Sequence, residues 1–170
     1  MPPFRVFISS SMRGFEEYRA AMLDAAEELS RNGTFEIFLY EEHSHQAVPG
    51  KTICEAIFET SGERFDALFV FFRERVGQGV LDELDYFEKN IIPKNPECEV
   101  WWSRIECEEC EPAVDRLMER LMTTYGGELP LVKTAPRNVS PHTLKGRFTA
   151  KLISLIPRII QAAISEDRRD

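Results

Sequence analysis

Ala67-Leu-Phe-Val-Phe-Phe72 is an unbroken apolar run set between Asp66 and Arg73. A strand packed on one face alternates apolar with polar residues. A run without alternation reads as a strand covered on both faces, in the middle of a sheet. Further strand-length runs, rich in aromatic and β-branched residues, lie on either side of it. They are Phe4–Ile8 and Phe35–Tyr40 upstream, and Glu99–Trp102 and Leu129–Val132 downstream. The last is the weakest, because Pro130 fits only an edge strand.

Between the strands the apolar period changes to that of a helix. Phe15, Tyr18, Met22, Ala25 and Leu29 form one stripe, which Ser10 or Ser11 can cap and Asn32-Gly33 can end. A second helix is expected from about Lys51 to Ser61, with Ile53 and Ile57 inward. A third is expected from about Leu81 to Ile91, with Leu84, Phe87 and Ile91 inward. The fourth opens on Pro112, a good first-turn residue, and shows Val114, Leu117, Leu121 and Tyr125. The last runs from about Ser140-Pro141 to Ser165 with Leu144, Phe148, Leu152, Leu155 and Ile159 as its stripe. Pro157 is expected to kink it. Strand then helix, five times over, predicts an α/β fold with a five-stranded parallel sheet and right-handed crossovers.

With 170 residues, the chain fits one domain over residues 1–165, followed by a frayed charged end from Glu166 to Asp170. A net charge of −8 argues against a nucleic-acid backbone or an anionic membrane as the main partner. Phe4–Ile8 is too short for a signal core, and no stretch approaches the run of about 18 apolar residues that a span needs. The expected location is the cytoplasm. Cys54, Cys98, Cys107 and Cys110 do not make a disulfide scaffold. Cys107-Glu-Glu-Cys110 is a lone CxxC, and His43 and His45 lack metal spacing, so no metal is expected.

Ligands of open parallel sheets bind beyond the carboxyl ends of the strands. Four loops fall there: Ser9–Gly14, Glu41–Gly50, Arg73–Val80 and Ser103–Glu111. Ser9, Ser10, Ser11 and Arg13 offer hydroxyls and a guanidinium suited to an anion, or else cap the first helix. Pro49-Gly50-Lys51-Thr52 imitates the tail of a P-loop but lacks its first glycine and follows the wrong strand. Glu83 lies about 100° round from Leu84, at the edge of the buried stripe. A carboxylate there can stabilise or trap an oxocarbenium ion. The plainer reading of Asp82, Glu83 and Asp85 is that acids favour the first turn of a helix. No GxGxxG, no Gly-x-Ser-x-Gly and no acidic pair after the first strand occur.

Phe7-Ile-Ser-Ser-Ser11 before an amphipathic helix resembles the first box of TIR domains and their bacterial TIR-like relatives. Val48-Pro-Gly50, followed by Ile53, Ile57 and Ser61, resembles the second box. Leu68-Phe-Val-Phe-Phe72, a glycine loop and Asp82-Glu83-Leu84 resemble the third strand and the Glu-Leu pair beyond it. The likeness covers roughly residues 4–92. It implies a flavodoxin-like sheet and, in one branch of the family, cleavage of NAD at the nicotinamide glycosidic bond, with Glu83 matching the essential glutamate. In that reading Ser9, Ser10, Ser11 and Arg13 hold phosphates or ribose, Trp102 offers a ring for stacking, and NAD is a substrate rather than a cofactor.

Another branch of the family only self-associates, for which the loop of His43, His45, Pro49 and Gly50 is the candidate surface. The related nucleoside deoxyribosyltransferases also use a glutamate, but Val80-Leu-Asp-Glu83 lacks their threonine. Two departures from the TIR pattern stand out. Gly77-Gln-Gly-Val-Leu81 replaces the Ser-x-Trp-Cys segment, and Asp82 directly precedes Glu83, which makes Asp82 a second catalytic candidate. The resemblance also implies a homo-oligomer and a sensor domain or protein that triggers it.

Overall fold

The computed structural model describes residues 2–10, 14–39, 53–60, 64–105, 109–126 and 140–167. Its strands are β1 (Phe4–Ser10), β2 (Phe35–Leu39), β3 (Ala67–Phe72) and β4 (Glu99–Arg104). All pair in parallel, in the order β2-β1-β3-β4. The helices are α1 (Glu16–Ser30), α2 (Ile53–Thr60), α3 (Gln78–Tyr86), α4 (Pro112–Thr124) and α5 (Pro141–Asp167). The α/β class read from the sequence is therefore present, with four strands among the described residues. The expected fifth strand, Leu129–Val132, lies outside them.

Every residue of β3 is buried, as its uniform apolar run requires. Alternate side chains enter two separate cores. On one face Val6, Ile8, Ile37, Leu39, Phe69, Phe71 and Trp101 pack under α1 and α5, where Phe148 stacks on Phe69. On the other, Phe7, Phe38, Leu68, Val70, Phe72 and Trp102 meet Phe58 of α2, Val80 and Leu84 of α3, and Val114, Leu117 and Leu121 of α4. The two tryptophans thus point to opposite layers, as neighbours on a strand must. The expected stripe of α5 is wholly buried: Leu144, Phe148, Leu152, Leu155 and Ile159. The side chains of Ile53 and Ile57 lie outside the described residues.

Three of the boundaries that differ from expectation affect the site. β1 continues through Ser9 and Ser10, so these serines belong to the sheet rather than to a loop. α1 starts at Glu16 after Phe15, with no side-chain cap, so Ser10 does not cap it. α3 starts at Gln78, three residues before the expected Leu81, from Gly77 in extended conformation. It then passes into a π-helical turn, Phe87–Ile91, where the Ile92 amide donates to the Phe87 carbonyl at 2.9 Å. Phe87 and Ile91, the two ends of this turn, are both fully buried.

α5 remains helical through Pro157. The proline is exposed, so the Ile153 carbonyl it leaves without an amide partner lies on the solvent side. By length and composition alone Pro141–Ser165 would suffice to cross a bilayer, yet one face of this helix forms part of the core.

Candidate active site

From β1 the chain crosses to β2 on one side, then returns past β1 to β3 on the other. The crossovers therefore diverge between β1 and β3. In open parallel sheets a crevice forms at such a point, outside the carboxyl ends of the strands. Ser9 and Ser10 end β1 there, opposite Val70 and Phe71 of β3. The pleat sends Ser9 toward α3 and Ser10 toward α1.

Ser9 donates a hydrogen bond from Oγ to Oε2 of Glu83, and both side chains are buried. Glu83 is only 7% exposed. Its position explains this, because Val80, Glu83, Leu84, Phe87 and Ile91 share one face of α3 and its π continuation. The first turn of the observed helix contains no acid. Attraction to the helix dipole, which acts on the first turn, therefore does not account for Glu83.

Burial pushes the Glu83 carboxyl up to about 7, against the opposing pull of the Ser9 hydroxyl and the Arg19 guanidinium. Asp82 adds a smaller push in the same direction as burial. Near neutral pH the group is thus present both as acid and as carboxylate. A general acid or base works best in that condition.

On the other side of β1, Arg19 is 2% exposed within α1. Its Nη1 donates to Ser10 Oγ at 2.6 Å and, at 3.4 Å, to the Ser10 carbonyl. Sequence reasoning missed this residue. The signal was present, because Arg19 lies four residues from Phe15 and three from Met22, on the apolar stripe itself. A cation there must be buried or break the stripe. The end of β1 therefore holds a carboxyl on one face and a guanidinium on the other, each fixed by a strand serine.

No protein-family model matches this chain, and no curated protein matches it.

The remaining candidates separate by position. Asp82 is exposed, and Gln78 Nε2 donates to its Oδ1 at 2.8 Å along the helix surface. Trp102 stacks on Phe72 with a 13° interplanar angle and has no exposed surface. Trp101 donates to Glu99 beneath α5 and is likewise core. Ser11, Arg13, His43, His45, Pro49 and Gly50 lie outside the described residues.

Arg73 and Glu74 follow β3 at the same end of the sheet and pair at 3.2 Å. Among the described residues, no three His, Cys, Asp or Glu side chains are grouped to hold a metal. Cys98 is a free thiol whose pKa burial raises to about 12, which leaves it protonated and unreactive. Cys110 is disulfide-bonded.

Proposed function

We propose that this chain is a TIR-like domain of flavodoxin-like architecture that cleaves the N-glycosidic bond of NAD. The observation that carries the proposal is Glu83: a nine-tenths buried carboxyl, held by a strand serine, at the point where the crossovers diverge. A buried acid costs stability, and at this position packing does not require one. The strand order β2-β1-β3-β4 supports the architecture, since it agrees with the first four strands of the flavodoxin-like order.

In the proposed reaction the C1′–N bond breaks and its electron pair stays with the nicotinamide nitrogen. Nicotinamide leaves as a neutral base, and positive charge develops on the ribosyl ring. The Glu83 carboxylate stabilises that charge. Water then adds at C1′ and gives its proton to Glu83, which leaves ADP-ribose and a protonated acid. Ser9 keeps the carboxyl oriented through the cycle. Arg19 favours the ionised form that the first step needs.

Nicotinamide release from NAD by concentrated protein tests this reading, with wild type beside Glu83→Ala and a crowding agent to favour assembly. Release that depends on Glu83 is the expected result. Absence of release from folded, assembled protein would turn the reading toward a non-catalytic association module. Release of a free base from a nucleoside or nucleotide, with NAD untouched, would keep the role of Glu83 and change the substrate.

A further inference from the structure

We infer that the disulfide of Cys110 is a thiol-exchange site, opened reversibly by a low-molecular-weight thiol, with Arg104 as the cation that receives the Cys110 thiolate. Arg104 ends β4 on the same face as Val100 and Trp102, where the strand's pattern calls for an apolar residue. Its guanidinium instead turns toward α4. There Nη2 donates to Cys110 Sγ at 3.4 Å and Nη1 donates to Met118 Sδ at 3.6 Å. Its Nε is buried and makes no hydrogen bond. Among the described residues this cation thus has sulfur partners and no carboxylate.

A thioether and a disulfide sulfur are weak acceptors, so they compensate a half-buried guanidinium poorly. Opening the disulfide changes that, because a Cys110 thiolate is a full counter-charge at the same place. A cation beside a sulfur favours the thiolate, and so does a helix N-terminus. α4 begins at Pro112, just beyond Cys110, and no side chain caps it. In the sequence Cys107 and Cys110 have the CxxC spacing of dithiol motifs. The Glu111 amide donates to the Glu74 carbonyl at 2.9 Å, so the chain next to Cys110 is held at the end of β3. Its sulfur therefore stays beside Arg104 when the bond opens. Cys110 is half-buried, so a small thiol can reach it. Cys98 is the contrast, since burial, Asp66 and Glu99 all disfavour its thiolate.

In the exchange, a thiolate RS⁻ attacks the sulfur of the second cysteine. The S–S bond breaks and its electron pair leaves on Cys110 Sγ, facing Arg104. A second RS⁻ attacks the mixed disulfide and displaces the second cysteine, which takes up a proton. Two thiols are thereby oxidised to RSSR, and the protein disulfide gains two electrons. Of the two thiol protons, one ends on the second cysteine and one in solution. A stabilised leaving thiolate speeds the first step and favours the reduced form at equilibrium.

Equilibration of the full chain in glutathione buffers of graded ratio tests the inference. Iodoacetamide trapping and peptide mass spectrometry read the state of Cys110 and identify the second cysteine. Wild type should pass reversibly between the two states in millimolar glutathione, with Cys98 unmodified. Arg104→Met keeps the packing of the stem and should require an about tenfold more reducing buffer to open the bond, since a charge-assisted contact is lost. Arg104→Lys should restore part of that shift. Urea unfolding in each redox state separates this from a merely structural role. Arg104→Met should stabilise the oxidised protein and destabilise the reduced one. A disulfide that resists glutathione in folded wild type would overturn the inference, as would an Arg104→Met equilibrium equal to that of wild type. So would equal stability changes in both redox states.

Discussion

Ser9 and Ser10 are adjacent residues of one strand, yet they serve opposite chemistry. Ser9 faces the α3 layer and donates to a carboxyl, and Ser10 faces the α1 layer and accepts from a guanidinium. Both charged partners are buried, and both interrupt an otherwise apolar helix stripe. The difference lies in what burial does to each. An arginine keeps its charge at any ordinary pH, so Arg19 is a fixed positive centre. Glu83 is pushed up to about 7 and changes charge where the protein works. The α1 side supplies a constant field, and the α3 side supplies the group that responds to it.

The largest expected effect breaks the pair at the responsive side. Glu83→Gln should lower nicotinamide release by about a thousandfold or more, as loss of a group that stabilises transition-state charge does. The same variant should gain stability. The folded pKa of Glu83 lies above its ordinary 4.5, so the folded state holds the extra proton between pH 4.5 and about 7. Stability must fall as pH rises through that window, by about 3 kcal/mol at full ionisation. Urea unfolding should therefore find Glu83→Gln equal to wild type at pH 4 and more stable by up to about 3 kcal/mol at pH 8. Equal stability at both pH values would mean that Glu83 titrates normally.

Arg19→Met removes the fixed charge. Its expected effect is directional, moving the carboxylate-dependent limb of the pH–activity profile upward, because the ionised form of Glu83 loses a cation that favours it. Ser9→Ala removes the donor and should move the same limb the same way. It should also cost about 1–3 kcal/mol at pH 8, where the carboxylate is left unsatisfied, and less at pH 4. Asp82→Asn is the contrast that sharpens the comparison. As an exposed neighbour of Glu83, Asp82 should change stability by less than about 0.5 kcal/mol, and activity should remain within a few fold. A loss as deep as that of Glu83→Gln would transfer the catalytic assignment to Asp82.

The sheet was legible in the sequence because β3 has no polar residue, and no one-sided packing tolerates such a run. The helix stripes of α4 and α5 were legible for the same reason of period. The ends of the elements were harder to place. Ser9 and Ser10 look like loop or cap residues by type, and only pairing with Val70 and Phe71 makes them strand. Gly77-Gln-Gly79 looks like a loop by composition, yet Gln78 already begins α3. That shift moves Glu83 out of the first turn and removes the dipole explanation for it.

Glu83 itself was legible as a charged residue beside a buried stripe. Arg19 was overlooked because its neighbour Tyr18 filled the stripe on type alone. Trp102 shows the limit from the other side. A tryptophan near a strand end is a natural candidate for ligand stacking, and register with Val70 buries it completely instead.

The most direct test of the account is the titration of Glu83 itself, followed by carbon-13 NMR on glutamate-labelled protein and assigned by its loss in Glu83→Gln. The account predicts a carboxyl resonance that titrates near pH 7, and higher still in Ser9→Ala and Arg19→Met. A midpoint in the ordinary range near 4.5, unmoved by either substitution, would contradict it.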